Sequence, residues 1–100
     1  MPYAEPLTDD ELASALTRLP DWSREGTLIR RSARLGGFRD AIALVNAVAD
    51  AAEAADHHPD IAITGYRTVT FTLTTHAANA LTRRDFELAT EIDRLIIGRS

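Results

Sequence analysis

DIAITGYRTVTFTLTT, residues 60–75, is the stretch whose reading decides the fold. Val69, Phe71 and Leu73 share one parity, and Thr68, Thr70, Thr72 and Thr74 share the other. Alternation with period two belongs to an antiparallel strand that buries one face and wets the other. Threonine, β-branched and polar, suits the wet face. Gly65-Tyr66 marks a turn inside the stretch, so residues 60–75 are predicted to form two strands.

Upstream, Phe38 to about Ala55 is the strongest helical segment. Phe38, Ile42, Val45, Val48, Ala49 and Ala52 recur at helical spacing, and the many alanines raise helix propensity and permit close approach to a sheet. Asp56-His57-His58-Pro59 ends this helix, because proline disfavours the helical region for the residue before it. Gly36-Gly37 separates the helix from another β stretch, Trp22 to Leu35, in which Ser23 to Gly26 reads as a turn. Within it, Ile29, Arg31, Ala33 and Leu35 form the more apolar parity and are predicted to face the core.

Both ends of the chain read as helices opened by capping boxes. Thr8 with Glu11 precedes a stripe of Leu12, Ala15, Leu16 and Leu19, which Pro20 stops. Thr82 with Asp85 precedes Phe86, Ala89, Ile92, Leu95 and Ile96. The order is αββαββα. The expected architecture is α+β: a four-stranded antiparallel sheet with three helices on one face.

The bulk properties narrow the function classes. With 100 residues, no repeat and no linker, one domain over 1–100 is expected. A hydrophobic share of 45% supplies a core, and no cysteine is present, so the fold relies on packing, which suits a reducing, cytoplasmic setting. A net charge of −4 argues against nucleic acid or a membrane surface as partner, although Arg30 and Arg34 share a strand face. No apolar run approaches the roughly 20 residues of a membrane span. The N-terminal MPYAEPLTDDELASAL lacks the basic start of a targeting peptide.

The three histidines are His57, His58 and His76. Glu53 stands one helical turn before His57, so the two are predicted to share a face. A carboxylate and a helix C-terminus both favour the imidazolium, which makes His57 a candidate proton donor near neutral pH. His76 ends the long strand, a common position for functional groups. Plainer readings stand beside these. The adjacent histidines can simply terminate a helix, and Asp85 can be no more than the acid of its capping box. Trp22 and Tyr66 can stack on a flat heterocycle or belong to the core. A zinc site with Glu53 fits poorly, since neighbouring histidines aim apart and the spacing matches no common closed site. No nucleophile elbow, P-loop or dinucleotide fingerprint is present.

Together, Glu53-x3-His57-His58-Pro59-x6-Tyr66-x9-His76-x8-Asp85 resembles the signature of the pterin-4a-carbinolamine dehydratases. LTDDEL, LPDW and FRDAIALVNAVADAAE extend the resemblance over roughly the whole chain. The resemblance implies an αββαββα fold and dehydration of a 4a-hydroxytetrahydropterin to the quinonoid dihydropterin. That reaction recycles the cofactor of an aromatic amino acid hydroxylase, in a homodimer or homotetramer that needs neither cofactor nor metal. It implies that His57, His58 and His76 are catalytic, that Glu53 and Asp85 support them, and that Tyr66 is the aromatic of the signature; Tyr66 and Trp22 are the candidate pterin-binding residues. One departure lies after His76. Family members often carry an acid there and then glycines; this chain reads Ala77-Ala78-Asn79-Ala80, which implies a different loop shape. The rival expectation is a protein-binding module of the same fold, a dimerisation cofactor or assembly chaperone, which would not need the histidines.

Overall fold

A computed structural model of the chain describes residues 4–99; Met1, Pro2 and Tyr3, at the head of the segment read for a targeting peptide, and Ser100 lie outside the described residues. In chain order the elements are α1 (Asp9–Thr17), β1 (Ser23–Glu25), β2 (Leu28–Arg34), α2 (Phe38–Ala55), β3 (Asp60–Thr64), β4 (Thr68–Leu73) and α3 (Arg83–Ile97), with a short 3₁₀ turn at His76–Ala78. This is the expected αββαββα order. The strands lie side by side as β1-β2-β4-β3, every neighbouring pair antiparallel.

The register explains why one face of the sheet is dry. Ile29 pairs with Leu73, Arg31 with Phe71 and Ala33 with Val69; across the other seam Ile61 pairs with Phe71 and Ile63 with Val69. These residues share the inward parity. Ile29, Val69, Phe71 and Leu73 are fully buried, together with Leu44 and Val48 of α2 and Ile92 of α3. Each such side chain contributes about 1.5–3 kcal/mol relative to exposure. The opposite face carries Arg30, Ser32, Arg34 and the threonines of β4, where Ser32 and Thr70 are hydrogen-bonded across strands at 2.7 Å.

Two expectations are corrected. Residues 23–25 form a strand, and the turn is only Gly26-Thr27, with Gly26 at φ +60°. All three residues of β1 are exposed, so no burial periodicity marked the strand in the sequence. On α2 the face toward the core is Ala41, Leu44, Val48 and Ala52, whereas Phe38, Ile42 and Ala49 are exposed. The helix carries apolar residues on more than one stripe, and the one containing two small alanines fits against the sheet. The capping boxes at Thr8/Glu11 and Thr82/Asp85 both form as read.

Candidate active site

The histidines come from two chain breaks at one end of the sheet. Helix α2 closes at Asp56, which takes the left-handed conformation at φ 51°. The N–H of His57 then reaches back to the Ala52 carbonyl at 3.1 Å, a C-terminal closure that swings residue 57 off the helical path. The second break follows β4. Thr75 and Ala80 bond to one another through their backbones, pinching off the His76–Ala78 turn, and Asn79 closes it at φ 50°. Asparagine tolerates that left-handed conformation, so the loop closes without glycine at this position.

These breaks place His57, His58 and His76 on the wall of one cleft of about 350 Å³, with Asp56, Thr74, Thr75, Ala77 and Arg84. That volume sits at the small end of the ~300–1,000 Å³ common for ligand clefts.

The histidines differ in their support. His57 is buried, and its Nε2 lies 2.6 Å from Oδ1 of Asp85, which is inaccessible to solvent. The other oxygen of Asp85 accepts from the Thr75 hydroxyl at 2.8 Å and from the Thr82 backbone N–H at 3.0 Å. Asp85 is thus the acid of its capping box and the partner of His57 at once. His58 is exposed, and its Nε2 lies 2.5 Å from Oε2 of Glu53. The expectation that Glu53 serves His57 is therefore corrected. The one-turn rule holds only while the chain is helical, and the left-handed Asp56 breaks it, so the carboxylate meets the next residue instead. Among the described residues no group of three or more His, Asp or Glu side chains is arranged to hold a metal ion.

Two residues expected to contact the pterin do not line this cleft within the chain. Trp22 is buried, and its indole donates to Asp93 Oδ1 at 2.7 Å, which makes it a core residue with a satisfied N–H. Tyr66 sits in the β3–β4 turn in the left-handed conformation at φ 58°, beside Arg67. The length of β4 separates it from His76 by about 20 Å within one chain. Thr75, which sequence reading passed over, had a signal: it continues the inward parity of Val69, Phe71 and Leu73, where an apolar residue is expected.

The family model described as Pterin 4 alpha carbinolamine dehydratase matches residues 5–95. A Nocardia farcinica protein provisionally named pterin-4-alpha-carbinolamine dehydratase is 56% identical over 91 residues, covering 91% of this chain and 95% of its own. A Roseiflexus relative under the same provisional name is 50% identical, covering 90% and 96%. The solved structure of a transcriptional coactivator/pterin dehydratase from Brucella melitensis superposes with a TM-score of 0.86 at 31% identity, covering 92% of this chain and 99% of that one. A pterin dehydratase-like RuBisCO assembly factor of the alpha-carboxysome, 22% identical with a TM-score of 0.63 over 79% of this chain and 89% of its own, shares the fold.

Proposed function

The chain belongs to the pterin 4 alpha carbinolamine dehydratase family, and on that premise we propose that it converts a 4a-hydroxytetrahydropterin to the quinonoid dihydropterin and water. The observation that carries this reading is the convergence of His57, His58 and His76 on one cleft, with the buried Asp85 behind His57. The reaction needs two proton movements. The 4a-oxygen gains a proton as the C–O bond breaks, and N5 loses its proton as the C4a=N5 bond forms. Electrons and atoms balance without redox chemistry, and imidazoles suit both transfers near neutral pH. In this reading His57 and His76 exchange protons with the 4a-oxygen and N5. His58, tied to Glu53, holds the pterin, and Asp85 supports His57.

The test is the dehydration rate of synthetic 4a-hydroxytetrahydropterin. His57→Ala and His76→Ala are each expected to lower it by about 10²-fold or more, the scale of a lost general acid or base. Wild-type rates in both folded variants would remove the roles assigned here.

The proposal extends to the setting. The protein acts in the cytoplasm, recycling cofactor for an aromatic amino acid hydroxylase, and no described helix is long and apolar enough to cross a membrane. The chemistry is proton transfer, so EDTA is expected to leave the rate unchanged; loss of activity with loss of a stoichiometric metal would reject this. Assembly as a homodimer or homotetramer is supported by the open edges at β1 and β3. Light scattering at micromolar concentration is expected to exceed the monomer mass, and a monomer contradicts it.

A second reading, partner binding, is supported by Phe38 and Ile42, which stand exposed on α2. Charge-preserving polar substitutions there are expected to leave dehydration intact. If they abolish it while the fold and assembly persist, the two activities are not separable in this way.

A further inference from the structure

The hydrogen bonds behind His57 have only one consistent direction, and it fixes which ring nitrogen is available for chemistry. An ionised carboxylate only accepts. Three groups converge on Asp85: the Thr75 hydroxyl and the Thr82 N–H on Oδ2, and His57 Nε2 on Oδ1. The single hydroxyl hydrogen of Thr75 must therefore point to Asp85. Thr75 Oγ1 also lies 2.8 Å from Thr82 Oγ1, and with its own hydrogen spent it can only accept there. So Thr82 donates to Thr75, and in turn accepts from the Arg84 backbone N–H at 3.2 Å. Thr75, Thr82 and Asp85 are all buried, so none of these donors is freely exchanged for water.

We infer that Thr75 is a positioning residue for His57: its hydroxyl, directed by Thr82, holds Asp85 so that the neutral imidazole carries its proton on Nε2 and presents the lone pair of Nδ1 as the basic atom. The inference deepens the dehydratase reading and rests on it for the meaning of that basic atom. Thr75 is also the residue before His76, so one side chain at the end of β4 anchors the carboxylate behind His57 while its neighbour carries a second imidazole into the cleft. A tautomer held by hydrogen bonds to its far nitrogen is a general means of orienting an imidazole.

The experiment is ¹⁵N NMR of the histidine rings with steady-state dehydration kinetics, on wild type, T75V and T75S. In the wild-type protein, at a pH where the ring is neutral, His57 is expected as the Nε2–H tautomer; an Nδ1–H tautomer overturns the inference. T75V, which keeps shape and removes the hydroxyl, is expected to lower the Nε2–H share and to reduce kcat about tenfold with KM within about twofold. T75S is expected to restore both readouts. Wild-type tautomer and kcat in T75V, or equal losses in T75V and T75S, overturn it. If T75V does not fold, T75A takes its place, with the same two readouts expected to fall and the same wild-type values overturning the inference. If the wild-type protein fails to dehydrate the pterin, the dehydratase reading falls, while the tautomer measurement still decides whether Thr75 and Asp85 set the ring.

Discussion

Asp85 and Asp93 stand about two turns apart on α3 and both accept hydrogen bonds from side chains outside their helix, yet their surroundings differ in kind. Asp93 Oδ1 accepts from the Arg31 guanidinium at 2.5 Å and the Trp22 indole at 2.7 Å. Arg31 lies on the inward parity of β2, and Asp21 stands 3.6 Å from its other terminal nitrogen. Asp85 accepts from an imidazole, a hydroxyl and a backbone N–H. Of these donors only the imidazole belongs to a group that can take up and release a proton near neutral pH, at the ring nitrogen facing away from the carboxylate. The arginine pairing has a fixed charge and serves the fold. The histidine pairing can change charge as a reaction proceeds, while Thr75 and Thr82 keep the carboxylate in place. In the proposed reading, what separates the two carboxylates is the kind of donor each meets, a fixed-charge guanidinium for Asp93 and an imidazole for Asp85; both are well bonded.

Substitutions at the two aspartates test that contrast. The largest effect is expected at the histidine pair. Asp85→Asn retains the shape but gives His57 an amide instead of an acceptor-only group, and the dehydration rate is expected to fall about 10²-fold. A rate within threefold of wild type would show that Asp85 is only a helix cap. Asp93→Asn is expected to do the opposite, leaving the rate within about twofold while costing roughly 2 kcal/mol in denaturant unfolding. That is below the ~3–5 kcal/mol of a fully buried broken pair, because Arg31 and Asp93 each keep some solvent contact. A large rate loss without destabilisation would move Asp93 into the site. The smallest effect is expected at Glu53. Its short contact to His58 joins side chains 76% and 57% exposed, and exposed pairs are worth ~0–1 kcal/mol. Glu53→Gln is expected to change the rate by no more than about threefold, read in the same assay.

The fold was legible where local chemistry and burial agree. β4 alternates, α2 is helical over the segment that its spacing marks, though on a different face from the one expected, and both capping boxes carry their own signature. It was less legible where they part: β1 is exposed on every residue, so only its backbone pairing with β2 defines it. In the site, the three histidines and Asp85 stand out in the sequence through the resemblance, but their partners do not. The pairing of Glu53 with His58 follows from the left-handed Asp56, a single backbone choice that side-chain spacing does not encode. Trp22 belongs with Asp93, a contact between residues distant in sequence that the local LPDW pattern cannot show. Tyr66 keeps its place in the spacing while the β3–β4 hairpin carries it to the other end of the sheet.

The central claim is that the buried His57 moves a proton while the exposed His58 holds the substrate. Steady-state dehydration kinetics of His57→Ala and His58→Ala, measured side by side on folded protein, test it most directly. The account predicts that His57→Ala lowers kcat about 10²-fold with KM nearly unchanged, and that His58→Ala acts mainly by raising KM. The reverse pattern, or unchanged kcat in His57→Ala, would contradict it.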